Sequence, residues 1–278
     1  EIFPDNTDRN RTSPFAFTGN RFEFRAVGSS QNVASATYII NSVVAESLND
    51  FYAQVAELEA SGVDRSDAVM TIVRKFVEES KDIMFEGNGY SKEWEDEPQA
   101  RGLRAVKNVP EAYEVYHEEQ TVELFSKLGV LAKNEIEARF EILNETYVKK
   151  LQIEARIIGD ICLSYVIPAA VRYQNLLIEN VKGIKEIFGD DYMGYCSSEV
   201  ETLKTISRYI NDISTDVDLL VEARKKANRI ENIAQRAKVY SRDVKDMMER
   251  VRESADNLEM LIDNELWPLP KYRELLFF

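Results

Sequence analysis

Apolar residues recur every three or four positions over most of the chain, and this spacing predicts long helices. One helix is predicted from Ala34 to Leu58 and a shorter one from Asp67 to Phe76, whereas residues 86–110 look irregular. After Pro110 the helical spacing resumes. We expect a break near Leu128-Gly129-Val130 and a kink or join at Pro168.

The last third of the chain has the most regular spacing. One apolar stripe runs from Leu203 to Leu220, and a second runs from Ile230 to Ile262. Their heptad-like spacing favours two long antiparallel helices packed side by side. The link near Lys225 to Arg229 contains no glycine or proline, so a single bent helix also fits the pattern. The apolar tail, Leu275 to Phe278, is expected to be docked against the protein.

Near the N-terminus the hydrophobic period changes from about 3.6 to two. Residues 21–27 alternate polar and apolar side chains, which predicts a strand with one solvated and one buried face. Phe22 and Phe24 would lie on the buried face. If such a strand lacks neighbouring strands, its edges are unpaired, and we expect it to pair with another chain or become disordered.

The solvated face of this strand carries the side chains with the most chemical promise. Period two places Arg21, Glu23 and Arg25 on the same face. A carboxylate between two guanidiniums stays ionised and can bind a divalent cation, while the arginines bind phosphate or carboxylate. Arg11, in the polar loop before the strand, would bring a third guanidinium. A solvent-facing strand with interleaved charges gives the same pattern and is more common.

Composition narrows the classes of partner. The 278 residues include 35 Lys and Arg and 49 Asp and Glu, a net charge of −14, which disfavours nucleic acid as a partner. No run of 18 apolar residues occurs, so we expect no membrane-spanning helix and no membrane partner. Two cysteines, Cys162 and Cys196, and the absence of a basic-then-apolar leader fit a cytoplasmic location. A single histidine, His117, excludes a His-rich metal site within this chain.

Several short segments occur in an order that resembles a known family. Near the N-terminus residues 5–15 read DNTDRNRTSPF, residues 19–25 read GNRFEFR and residues 28–32 read GSSQN. Further on are FEGNGYS at 85–91, RGL at 101–103, IE at 153–154, IPAA at 167–170, YQ at 173–174 and LWPLPKY at 266–272. Together these segments resemble the C-terminal part of type III glutamine synthetase over nearly the whole chain.

The resemblance implies an activity and a set of site residues. That family ligates ammonia to glutamate through γ-glutamyl phosphate, with ATP and Mg²⁺ or Mn²⁺, and assembles as stacked hexameric rings. It implies that Arg21 contacts the transferring phosphate, Glu23 binds the metal and Arg25 binds glutamate. Arg11 would contact phosphate or the transition state. Pro14 to Phe17 stand where better-known members have a second arginine, and the loop before the strand is shorter here.

The resemblance also implies a division of the chain. We expect a mainly α chain in which residues 1–145 end the α+β catalytic domain and residues 146–278 form an all-helical extension with long antiparallel helices. The chain begins at Glu1 without methionine, and the resemblance implies that the segments with the other metal ligands and the nucleotide pocket precede it. We therefore interpret the chain as a C-terminal portion that is inactive alone. The alternative is a non-catalytic helical assembly module in which the N-terminal motif is vestigial.

Overall fold

The computed structural model describes residues 15–17, 21–24, 32–83, 91–271 and 274–276. These residues are mainly α-helical, which confirms the predicted class. The chain divides into two compact units. The first comprises Glu1–Lys107 and Val115–Glu137, and the second comprises Asn108–Glu114 and Ala138–Phe278.

The predicted strand forms half of a two-stranded antiparallel sheet in the first unit. β1 (Phe15–Phe17) pairs with β2 (Phe22–Phe24), so that Ala16 lies opposite Glu23. The predicted strand therefore has a partner strand within the chain, and its pairing with another chain stays a prediction. Only four residues separate the strands, and such a short connection brings a partner from the same chain at little entropic cost.

Two long helices follow as an α-helical hairpin. α1 (Ala34–Ala60) and α2 (Arg65–Glu79) confirm the two helices predicted for this region. Gly62 supplies the positive φ of +94° at the turn, and the Asp64 carboxylate accepts a hydrogen bond from the Ser66 amide to cap α2. The seam between the helices is apolar and consists of Phe51, Val55, Leu58, Ala68, Val69, Ile72 and Phe76.

Residues 86–110, predicted to be irregular, contain a helix. A short 3₁₀ turn, Lys81–Ile83, is followed by α3 (Lys92–Ala100), and the Ser91 hydroxyl accepts from the Trp94 amide at its start. Nine residues are too few for a helical period to stand out in the sequence, and Pro98 within the helix hides it further.

A second apolar cluster of the first unit lies around α5 (Glu119–Lys127). This helix follows α4 (Val109–Tyr113) and a 3₁₀ turn (Glu114–His117) along the chain. The helix packs against α1, where the rings of Tyr38 and Phe125 meet edge to face at 5.8 Å. Gly129, with φ of +66°, ends the helical run, which confirms the break predicted there.

Five helices make up most of the second unit, and they include the two longest in the described part of the chain. They are α6 (Lys133–Ile161), α7 (Ile167–Phe188), α8 (Met193–Asn228), α9 (Ile233–Val239) and α10 (Lys245–Leu261), with a 3₁₀ turn, Gly189–Tyr192, between α7 and α8. α8 packs against α7 and α10. Both predicted apolar stripes lie in its core, which includes Ile206, Ile213, Val217, Leu220, Tyr240, Val244, Val251 and Leu258.

Two π-helical turns join consecutive helices in this unit. Cys162–Val166 joins α6 to α7, and the Ile167 amide donates to the Cys162 carbonyl across five residues. This turn is the join predicted at Pro168. A second π-turn, Tyr240–Val244, joins α9 to α10. Each adds one residue to a helical turn, so the apolar stripe shifts by about 100° without interrupting the helix.

The link between the two stripes is a break, so the single bent helix is excluded. α8 ends at Asn228, and α9 begins after Asn232, whose side-chain oxygen accepts a hydrogen bond from the Gln235 amide. Asparagine is among the residues that best cap a helix N-terminus. The capped start explains how the chain turns here without glycine or proline.

The end of the chain is only partly docked. The Lys271 side chain is buried, but Leu275 and Leu276 are 51% and 78% exposed in the 3₁₀ turn Glu274–Leu276. The prediction of a docked apolar tail is therefore wrong for these two residues, while Phe277 and Phe278 lie outside the described residues. The anchor is instead the preceding lysine, which donates hydrogen bonds to backbone carbonyls near the end of α10.

One helical stretch has the length and composition that a membrane span requires. Within Lys133–Asn228, an 18-residue window has a mean hydropathy of 1.3, and 22% of it is buried. The expectation that no such helix occurs is therefore not confirmed. The apolar core helix of a soluble protein passes the same test of length and composition, so the stretch is weak evidence for a membrane.

Candidate functional site

The sheet places two of the predicted site residues together. Arg21 immediately precedes β2, and Glu23 is the central residue of that strand. The Arg21 Nη2 atom lies 3.6 Å from Glu23 Oε1, so the two side chains share a face as the period of two predicted. The pair joins a fixed positive charge to a carboxylate.

The exposure of this pair limits its structural value. The Arg21 and Glu23 side chains are 72% and 34% exposed, and ion pairs in such positions typically contribute less than about 1 kcal/mol to stability. This ion pair therefore contributes little to the stability of the fold. A guanidinium and a carboxylate that face solvent side by side can bind, respectively, an oxyanion and a cation.

The described residues do not bring the whole predicted set together. Arg11 and Arg25 lie outside the described residues, so their roles remain predictions. Within the described part of the chain, no group of three or more His, Cys, Asp or Glu side chains is placed to hold a metal ion. Glu23 can therefore supply one metal ligand, and further ligands would have to come from elsewhere.

A polar groove in the second unit was not predicted from the sequence. It has a volume of about 530 Å³ between α8 and α10. Its lining consists of Arg208, Tyr209, Asp212, Thr215, Asp216, Arg250, Glu253, Ser254 and Asn257. Asp216 is buried, and its Oδ1 atom lies 2.5 Å from Nη2 of Arg250. One feature of the sequence could have indicated this groove, namely the polar residue Asp216 directly before Val217 of the first apolar stripe.

Comparison with known proteins identifies the family. Residues 68–185 match the family model for the glutamine synthetase C-terminal domain. The whole chain aligns with a glutamine synthetase from Bacteroides fragilis (strain YCH46) at 45% identity over 278 residues. Residues 68–185 thus match the glutamine synthetase C-terminal domain, and the chain is similar to glutamine synthetases along its whole length. A type-3 glutamine synthetase from Dictyostelium discoideum is 35% identical over 283 residues and covers 98% of the chain, so the predicted resemblance is confirmed.

A third glutamine synthetase relative, from Butyrivibrio fibrisolvens, is 31% identical over 278 residues and covers 98% of the chain. The chain spans only 37–38% of the length of these three relatives. The family assignment thus rests on similarity along the entire chain, but most of each relative has no counterpart in it. The activity of a complete glutamine synthetase is therefore a proposal for this chain.

Proposed function

We propose that this chain is a portion of an enzyme that ligates ammonia to glutamate with ATP. In the first step the glutamate γ-carboxylate attacks the terminal phosphorus of ATP, giving γ-glutamyl phosphate and ADP. Ammonia then attacks the acyl carbon and phosphate leaves, so that glutamine forms and a proton is released. The observation that carries this proposal is similarity to glutamine synthetases along the whole chain, at up to 45% identity among the relatives above.

We assign the site residues according to charge. Arg21 and Arg11 stabilise the transferring phosphoryl group, and Arg25 binds the glutamate carboxylate, because guanidinium forks match the geometry of these oxyanions. Glu23 contributes a carboxylate to a divalent cation. The 3.6 Å contact between Arg21 and Glu23 supports the assignment, since it places a phosphate-binding charge beside a cation-binding one.

The cation would be Mg²⁺ or Mn²⁺, for which carboxylate oxygens are suitable ligands. When bound, it neutralises negative charge on the ATP phosphates. Glu23 is half-buried at the middle of β2, so its backbone is fixed by pairing with Ala16 while its carboxylate stays near solvent. Such a ligand can complete a cation site whose other ligands come from outside the described residues.

The proposal includes an arrangement for the chain. Residues 1–145 would end the α+β catalytic domain, and residues 146–278 would form a helical extension in which the long helices run antiparallel. The complete enzyme would be a cytoplasmic homo-oligomer of stacked hexameric rings that binds neither nucleic acid nor membrane. The net charge of −14 supports the absence of a nucleic-acid partner.

The experiment compares the full-length protein with the 278-residue chain in an ATP-dependent γ-glutamyl hydroxamate assay. We expect turnover by the full-length protein and none by the chain alone, because the described residues do not complete a metal site. Robust turnover by the isolated chain would refute the need for further ligands. Absence of turnover in the full-length protein would refute the proposed activity.

A pair of variants in the full-length protein separates the enzyme from the assembly-module alternative. Glu23→Gln keeps the size of the side chain but removes its charge, and we expect a loss of at least about 100-fold in kcat/KM. The matched control is Glu201→Gln, an exposed glutamate on α8 paired with Lys204. The assembly-module alternative predicts that glutamine formation is the same in both variants.

A further inference from the structure

The polar groove between α8 and α10 belongs wholly to the second unit and has no part in the candidate catalytic pair of the first. Its volume of about 530 Å³ falls within the range of about 300–1,000 Å³ that is typical of small-molecule sites. Because the lining is polar, the charges in it decide what the groove can bind. The lining contains five charged side chains, Arg208, Asp212, Asp216, Arg250 and Glu253.

Two of these five side chains neutralise each other. The Asp216 side chain is only 7% exposed, and its Oδ1 atom lies 2.5 Å from Nη2 of Arg250. A carboxylate held this close to a guanidinium stays ionised, and removing either partner would leave an uncompensated charge in the wall of the groove. The pair therefore adds no net charge, and a ligand has to be recognised by the other three charged side chains.

Those three side chains are Arg208 and Asp212, one turn apart on α8, and Glu253 on α10. In the part of the chain that the structure describes, no ion pair engages any of them. Arginine four residues before an acidic residue is the less favourable order for an ion pair along a helix, which is consistent with the absence of one between Arg208 and Asp212. The groove thus presents one positive and two negative charges to a ligand.

A ring contact positions the Arg208 guanidinium. Its Cζ atom lies 4.9 Å from the centroid of the Tyr209 ring, and both residues line the groove. An aromatic ring attracts a guanidinium over its face and leaves the N–H groups at the guanidinium edge able to donate. Such an edge matches the two oxygens of a carboxylate. Arg208 is therefore suited to bind the carboxylate of a ligand.

We propose that this groove binds a basic α-amino acid, a ligand with one carboxylate and two cationic groups. The carboxylate pairs with Arg208, and the two cationic groups pair with Asp212 and Glu253. An amino acid with an uncharged side chain leaves one acidic residue of the groove without a partner, and a diamine leaves Arg208 without one. Only the basic amino acid matches all three charges. This inference does not depend on glutamine formation.

The test is isothermal titration calorimetry of the 278-residue chain with L-lysine, L-norleucine and cadaverine, at neutral pH and constant ionic strength. Norleucine lacks the side-chain ammonium group of lysine, and cadaverine lacks its carboxylate. We expect one saturable site for lysine. Norleucine and cadaverine should each bind more weakly by about fivefold or more, because each forms one ion pair fewer in a partly exposed groove.

Variants of the groove assign each pair. Arg208→Gln should weaken lysine binding by about fivefold and leave cadaverine binding unchanged, since cadaverine has no carboxylate. Asp212→Asn and Glu253→Gln should each weaken the binding of lysine and of cadaverine alike. The matched controls, Arg172→Gln on α7 and Asp218→Asn on α8, remove exposed charges that do not line the groove and should leave lysine affinity unchanged.

The proposal is overturned if lysine gives no saturable binding, or if norleucine or cadaverine binds as tightly as lysine. It is also overturned if Arg208→Gln weakens cadaverine as much as lysine, or if a control variant weakens lysine as much as the groove variants do. Far-UV circular dichroism shows whether each variant keeps its helical signal. The comparison of the three ligands on the parent chain decides the proposal even where a variant fails to fold.

Discussion

Lys271 shows how a single side chain fixes the end of the second unit. Its buried ammonium group donates to the Glu259 carbonyl at 2.7 Å and to the Ile262 carbonyl at 2.8 Å. These carbonyls lie at the C-terminal end of α10, where helices leave backbone acceptors without partners and carry a partial negative charge. The sequence could not predict this cap, because the partners are nine and twelve residues away and meet the lysine only after the tail has folded back.

The residue-scale prediction for this cap is that Lys271→Met destabilises the chain by about 2–4 kcal/mol. The variant keeps an apolar stem of similar length but leaves buried carbonyls without a donor. Urea unfolding followed by circular dichroism measures the change. Lys204→Met, on the exposed face of α8, is the control and should change stability by less than about 0.5 kcal/mol. Equal effects of the two substitutions would contradict the cap.

The buried thiol of Cys162 leads us to expect that the free energy of unfolding depends on pH. Burial, with a smaller effect from Asp256, raises the pKa of this thiol to about 11. A pKa that is higher in the folded state stabilises the protein fully below the ordinary thiol pKa and loses that effect as pH rises toward 11.

We therefore expect the free energy of unfolding to fall by about 2 kcal/mol more in the parent chain than in Cys162→Ala between pH 8 and pH 10.5. Urea unfolding of both proteins at the two pH values measures this difference. Tyrosines and lysines titrate equally in both, so they cancel. A difference between the two proteins that stays constant with pH would show that the thiol is not perturbed.

At the residue scale, hydrophobic periodicity predicts which face of a strand or helix a side chain lies on better than it predicts which residue that side chain contacts. Period two correctly placed Arg21 and Glu23 on one side of β2, and their atoms lie 3.6 Å apart. The contact between Asp216 and Arg250 was not predicted, because it joins two helices far apart in sequence. A polar residue within an apolar stripe indicates that something compensates it, but it does not identify the partner.

At the scale of elements, the apolar stripes predicted the long helices. They did not predict where helices end, because the ends depend on capping side chains and π-turns, which an apolar pattern does not show. The π-turns are the clearest case, since Tyr240–Val244 continues the helix with one extra residue and keeps Tyr240 and Val244 in the core. A strict period of 3.6 has no place for that residue. The break after Asn228 depends on the Asn232 cap, which is visible in the sequence only as one polar residue among many.

The element-scale prediction concerns Pro168. Because the first π-turn already interrupts the regular hydrogen bonds just before it, the missing amide of Pro168 removes little, and Pro168→Ala should change stability by less than about 1 kcal/mol. Glu179→Pro, at an exposed position inside α7, should destabilise by about 3 kcal/mol or more. Urea unfolding compares the two. A large loss in Pro168→Ala would mean that the proline itself maintains the join.

At the scale of the whole molecule, two compact units are present, but the candidate catalytic residues that the structure describes are confined to the small β1–β2 sheet. A two-stranded sheet alone is marginally stable in water, so further strands would be expected to complete it. The relatives are more than twice as long as the chain, which is consistent with such completion in them. Sequence resemblance identified the family. The remaining metal ligands could not be predicted, because the resemblance assigns only one metal ligand, Glu23, within this chain.

The most direct test of the central claim is a structure of the full-length protein with a non-hydrolysable ATP analogue, glutamate and Mg²⁺. The account predicts a Glu23 carboxylate oxygen about 2.1 Å from a Mg²⁺ ion. It also predicts the Arg21 guanidinium within about 3 Å of a phosphate oxygen. A structure in which both side chains lie outside the nucleotide and glutamate pocket would contradict the assignment of this strand to the active site.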